Sequence, residues 1–158
     1  MGEPRPTVPC QALRVVDAPR LQPRLGLWHA GGMPIRVVLA DDSDDVRDML
    51  RMALEMDGRF DVVGEARNGE EAVRLVGDHR PDAIFLDLVM PVLDGLKAIP
   101  RIKASSPETK IVVLSVAAAH PSSSEAMELG ATAMVQKGGV QTASELATEV
   151  AELFAGER

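Results

Sequence analysis

One cysteine, Cys10, among 158 residues leaves no partner for an intramolecular disulfide, and the composition suits a reducing compartment. Tyrosine is absent, and the aromatic residues are Trp28, Phe60, Phe85 and Phe154. No apolar run approaches the ~20 residues that a membrane-spanning helix needs. No N-terminal stretch joins a basic segment to an apolar core and a small-residue cleavage site, which argues against secretion. Positive charge is in deficit: the net charge of −7 is opposite to the basic face of a nucleic-acid clamp. A transmembrane protein, a disulfide miniprotein and a self-sufficient DNA binder all fit poorly. The remainder, 46% hydrophobic and 26% charged, is the composition of an ordinary globular domain, and the length suits one domain.

The chain divides near residue 33. The first 32 residues hold five of the eleven prolines and carry a net charge of +2, whereas the remainder carries −9. Prolines at that density remove backbone donors and interrupt helices, and no strand or helix period is sustained there. Residues 1–33 are therefore expected to form a disordered extension, with Trp28 solvated, and residues 34–156 a folded domain. Met33-Pro34 directly precedes the first strand, which leaves Met33 as a second candidate for the start of translation.

From Ile35 onward, strand-like and helix-like segments alternate. Ile35–Ala40 is a β-branched run, followed by a helical stripe of Val46, Met49, Leu50, Ala53 and Leu54, with Ser43 as N-cap and Gly58 as stop. A second strand spans Phe60 to Gly64. Asn68 and Glu71 resemble a capping box before a helix carrying Ala72, Leu75 and Val76. The third strand, Ala83–Leu86, is apolar at every residue, as a strand covered on both faces should be. A helix over Gly95–Ala104 contains Pro100, which predicts a kink or a short helix. Ile111–Leu114 is the fourth strand, a short helix ends at Leu129-Gly130, and Ala131–Val135 is the fifth strand. A final helix presents Leu146, Val150, Leu153 and Phe154 on one face. This alternation predicts a single α/β domain, a doubly wound five-stranded parallel sheet covered on both faces; the common order for such a sheet, the flavodoxin-like 2-1-3-4-5, is the one expected here.

Polar residues stand where these apolar strands end. Asp41 and Asp42 follow the first, Asp87 the third, Ser115 the fourth and Lys137 the fifth. Ligands of open α/β sheets bind beyond the carboxyl ends of the strands where the strand order reverses, here between strands one and three. Three carboxylates meeting there repel, and a divalent cation removes that penalty. Magnesium suits hard oxygen donors and few carboxylates. A lysine and a hydroxyl facing the same crevice can hold phosphoryl oxygens, so the set reads as a site for making and breaking an aspartyl phosphate. Taken singly, each residue has a plainer role as a turn, cap or solvated charge; their conjunction at four strand ends carries the inference. Asp44, Asp45 and Asp48 read as acids favoured by the helix dipole.

Over about residues 34–155 the chain resembles the receiver domain of bacterial two-component response regulators. The matching segments are Val37-Val38-Leu39-Ala40-Asp41-Asp42-Ser43, Leu86-Asp87-Leu88-Val89-Met90-Pro91-Val92-Leu93-Asp94-Gly95, Val113-Leu114-Ser115, and Gly130-Ala131 through Lys137. The resemblance implies that Asp87 is the phosphoacceptor, attacking a phosphohistidine on a sensor histidine kinase or phosphotransfer protein. It implies Mg2+ held by Asp41, Asp42, Asp87 and the backbone carbonyl of Val89, with Asp41 acting mainly through a metal-bound water. Lys137 would pair with a phosphoryl oxygen and Ser115 would carry the switch. The output would be a protein target bound on the face of the fourth helix, fifth strand and fifth helix, in the cytoplasm, with no direct nucleic-acid contact and no membrane insertion. Enzymatic activity would be limited to the domain's own phosphorylation and dephosphorylation.

Three positions depart from the family pattern. Met134 replaces the usual strand-five aromatic, Val116 follows Ser115 where a small residue is common, and Gly138 follows Lys137 in place of proline. The first two motivate an alternative, a degenerate receiver acting as a constitutive protein-interaction module. A flavin carrier of the same topology would need a hydroxyl-rich loop after strand one, where this chain has Asp-Asp.

Overall fold

In the computed structural model, which describes residues 33–115, 121–136 and 143–155, each β-branched run is a strand. β1 (Ile35–Ala40), β2 (Phe60–Ala66), β3 (Ala83–Asp87), β4 (Lys110–Ser115) and β5 (Ala133–Gln136) alternate with helices. These are α1 (Asp44–Asp57), α2 (Gly69–His79), α3 (Gly95–Ser105), α4 (Pro121–Leu129) and α5 (Ala143–Glu152). All strand pairings are parallel and the order is β2-β1-β3-β4-β5, the doubly wound sheet that the sequence predicts. The extension expected over residues 1–33 lies outside the described residues apart from Met33, which is exposed. Among the described residues no helix is long and apolar enough to cross a membrane.

The period of two within each strand sends alternate side chains to opposite faces. On one face Val37, Leu39, Phe85, Val112, Leu114 and Val135 pack with Leu50 and Leu54 of α1 and with Leu146 and Val150 of α5. On the other, Val38, Ala40, Ile84, Leu86, Ile111 and Val113 pack with Ala72 and Val76 of α2 and with Ala98, Ile99 and Ile102 of α3. Both faces are covered, so strand edges project their functional groups only at the ends.

The helix signals act as their chemistry requires. Ser43 Oγ accepts from the Val46 N–H at 3.3 Å, and Gly58 closes α1 in the left-handed region at φ 88°. Asn68 Oδ1 accepts from the Glu71 N–H at 2.9 Å, while the Glu71 carboxylate reaches past the cap to the Arg67 N–H at 2.8 Å. The box is thus shifted by one residue on its return side.

Four details differ from expectation, the first being that β2 runs on to Ala66 rather than ending at Gly64. Met49 does not join the buried stripe of α1: it is half exposed, and Met52 and Met56 extend the same exposed line. The inward face is instead set by Arg47, Leu50 and Leu54, which recur at i, i+3 and i+7. Pro100 does not shorten α3, which runs on to Ser105; the proline itself lies on the exposed side of the helix. The fifth strand begins at Ala133 rather than Ala131: the Thr132 N–H donates to the Ile111 carbonyl at 2.7 Å, but the Ile111 N–H goes to the Thr132 hydroxyl at 3.2 Å rather than to a backbone carbonyl, so the regular ladder with β4 starts one residue later.

Gly77, inside α2, has room for a methyl group: the nearest atom to an added Cβ is that of Ser105 at 3.9 Å. Gly77→Ala is therefore expected to stabilise the domain by about 0.5–1 kcal/mol, the difference in helix propensity between the two residues. Thermal unfolding of the two proteins checks this.

Candidate functional site

The register of the sheet builds the site. Ala40 pairs with Leu86, so Asp41 and Asp87 stand as the next residues on neighbouring strands. Asp87 pairs with Leu114, which puts Ser115 one residue further along β4, and Ser115 in turn pairs with Gln136. The strand order reverses beside β1, and the crevice this opens is where the carboxylates meet. Asp41, Asp42 and Asp87 each offer a carboxylate oxygen, and these oxygens lie within 4.8 Å of one another. Asp41 and Asp87 are buried and Asp42 is exposed, so the group has a closed inner side and an open outer one.

Local hydrogen bonds hold each member. Asp41 accepts from the Ser43 N–H at 2.9 Å through its carboxylate, and its own N–H donates to the Ala66 carbonyl at 3.1 Å. Asp87 Oδ1 accepts from the Val89 N–H at 3.2 Å, which turns the chain sharply after β3. That turn continues into Pro91-Val92-Leu93, where the Leu93 N–H bonds the Pro91 carbonyl at 2.7 Å and Val92 sits at φ 69°. A β-branched residue rarely adopts that conformation, and holding it there costs about 1–3 kcal/mol. Two glycines let this loop close. The Gly69 N–H donates to the Leu93 carbonyl at 2.8 Å, and the Gly95 N–H to the Leu88 carbonyl at 2.9 Å. Asp94 then caps α3 by accepting from the Lys97 N–H at 2.9 Å.

Of the residues singled out in the sequence, Asp41, Asp42 and Asp87 are brought together and Ser115 stands buried at the neighbouring strand end. Lys137, Val116 and Gly138 lie outside the described residues. Met134 is partly buried against the cluster formed with α2, α3 and α4.

A family model described as the response regulator receiver domain matches residues 37–150. The chain belongs to that family. Among relatives of this receiver, a protein-glutamate methylesterase/protein-glutamine glutaminase of Haloarcula marismortui is 41% identical over 117 residues, covering 71% of this chain and 30% of the relative. Response regulator GacA of Pseudomonas aeruginosa is 34% identical over 126 residues, covering 78% of this chain and 57% of the relative. The receiver thus spans about a third to just over half the length of these two relatives. Among solved structures, the response regulator domain of Thermotoga maritima CheB superposes with a TM-score of 0.69 at 29% identity, covering 78% of this chain and 96% of that one.

One residue of this receiver's site escaped the sequence reading. Arg47 is 5% exposed and its guanidinium lies against the carbonyl of Asp41. Its signal was the helical period itself, which puts it in line with Leu50 and Leu54; a charged residue in that line is easily taken as solvent-facing.

Proposed function

We propose that this receiver accepts a phosphoryl group on Asp87 from a phosphohistidine of a sensor histidine kinase or phosphotransfer protein. The observation that carries the reading is the convergence of three aspartates at the reversal of strand order. In the transfer, an Asp87 carboxylate oxygen forms a bond to phosphorus as the bond from phosphorus to the imidazole nitrogen breaks. The electron pair of that bond returns to the imidazole.

The donor set fits a magnesium ion: hard carboxylate oxygens, two from buried residues and one from an exposed residue. Asp41, Asp42, Asp87 and the Val89 carbonyl would hold it, and it would supply positive charge to the phosphoryl oxygens. Asp42, on the open side, would admit the cation, while the Val89 N–H orients the Asp87 carboxylate. Ser115 would donate to a phosphoryl oxygen from β4, and Lys137 would neutralise a second one. The switched surface would be that of α4, β5 and α5, with a protein target, and the place of action the cytoplasm.

The test uses the full chain with a small-molecule phosphoryl donor and Mg2+, followed by intact-mass analysis and peptide mapping. The expected result is one added phosphoryl group, localised to Asp87 and lost when the metal is chelated. Labelling at another residue, or none, would overturn the assignment.

A further inference from the structure

Arg47 is a buried charge that the phosphoryl-transfer reading leaves without a role. Its planar fork serves three acceptors. Nη1 donates to the backbone carbonyl of Asp41 at 2.5 Å, Nε to Glu65 Oε1 at 3.2 Å, and Nη2 to the Asp44 carboxylate. Glu65 lies on β2, and its other oxygen accepts from Arg51 Nη1 at 2.5 Å. The next residue along β2, Ala66, takes the Asp41 N–H. Asp41 is therefore held at its N–H, at its carbonyl and at its side chain, and the first two holds lead back to the end of β2.

We propose that Arg47 is a positioning residue of the cation site, fixing the peptide between Asp41 and Asp42, and that Glu65 sets the guanidinium in place from β2. This rests on the metal-site reading above. Fixing that peptide beforehand spares the cation the ordering of the loop that carries two of its ligands, and groups that orient ligands in this way commonly affect metal affinity about 10–100-fold. Arg51 occupies the far oxygen of Glu65, so the carboxylate has little freedom to leave Arg47. The hydrogen bond and charge of Glu65 hold the Arg51 proton above the ordinary arginine range, in keeping with a tight pair.

A buried guanidinium could act on a cation by charge alone, and that role has the opposite sign. A positive charge beside the carboxylates repels a divalent ion, so its removal would tighten binding. Removal of a positioning group loosens binding. Arg47→Lys separates the two further, since it keeps the charge but an ammonium cannot reproduce the planar fork.

The experiment is a Mg2+ titration followed by the amide NMR signals of residues 41–43, on the full chain. It compares wild type with Arg47→Met, Arg47→Lys, Glu65→Gln and the Arg47→Met/Glu65→Gln double variant, each with its thermal melt. Kd for Mg2+ is expected to rise about tenfold in both Arg47 variants. Glu65→Gln should raise it less, and the double variant should bind no more weakly than Arg47→Met, because Glu65 acts through Arg47. Phosphorylation at saturating Mg2+ should return towards the wild-type rate. A lower melting temperature with unchanged Kd would reduce Arg47 to a structural strut and overturn the proposal, as would tighter binding in Arg47→Met. If Arg47→Met fails to fold, Arg47→Lys and Glu65→Gln decide the matter alone. Wild type showing no Mg2+ response at all would instead overturn the metal-site reading beneath it.

Discussion

Asp42→Ala is expected to abolish the stabilisation that Mg2+ confers, while leaving the metal-free protein at least as stable as wild type. The two halves of this result have separate causes. Asp42 is the exposed member of the carboxylate group, so truncating it opens no cavity in the core. It also removes one of three like charges whose oxygens lie within 4.8 Å, which relieves repulsion in the metal-free state. In wild type, Mg2+ at a hundred times its Kd should add ~2.7 kcal/mol, or about 10 °C in melting temperature for a domain of this size. The variant should show almost none of that increment. Its phosphorylation rate should fall roughly a hundredfold or more, as when one stabilising partner of a developing charge is lost. Asp41 would be a poorer probe: it is fully buried and its carboxylate holds the Ser43 N–H, so its loss would confound metal affinity with folding. A melting temperature for Asp42→Ala that climbs with Mg2+ as steeply as that of wild type would show the cation to be bound elsewhere.

The strands were legible because a doubly wound sheet buries both faces, so that Val37–Ala40, Ala83–Leu86 and Ile111–Leu114 had to be apolar without interruption. The polar residues ending those runs then identified themselves by contrast, which made Asp41, Asp42, Asp87 and Ser115 readable from a linear string. Local caps were equally plain, since Ser43, Asn68 and Gly58 each act on atoms within four residues of themselves. What stayed hidden depends on residues far apart in sequence. Arg47 owes its burial to Glu65, 18 positions away, and to a carbonyl, and neither partner leaves a mark on the helical pattern. Met49 misled for the converse reason: an unbranched apolar side chain satisfies a hydrophobic period whether or not the helix turns it inward. The close approach at Gly69 belongs to the same class, because an added Cβ would meet the Leu93 carbonyl oxygen, on another loop, at 2.2 Å.

Gly95→Ala should show how tightly the phosphoacceptor depends on such an approach. A Cβ at residue 95 would lie 2.3 Å from the Asp87 carbonyl oxygen and 2.7 Å from the Leu88 Cα. Both are backbone atoms, so no side chain can rotate away to make room. The loop between β3 and α3 must then move, and the Gly95 N–H bond to the Leu88 carbonyl, at 2.9 Å, must lengthen with it. Overpacking of this kind typically costs 1–3 kcal/mol, and the absence of a yielding neighbour puts this case at about 3 kcal/mol. That corresponds to roughly 10 °C in melting temperature. The functional loss should exceed what instability explains, because the displaced segment carries the Val89 N–H that orients the Asp87 carboxylate. At a temperature where the variant is still folded, phosphorylation from a small-molecule donor should therefore be reduced by at least about tenfold, in line with the sensitivity of such reactions to small displacements. Gly77→Ala provides the matched control: the same methyl group, added where the nearest atom is 3.9 Å away, should raise stability and leave the rate alone. Equal rates for the two variants would mean that the β3–α3 loop can shift without carrying Asp87 with it.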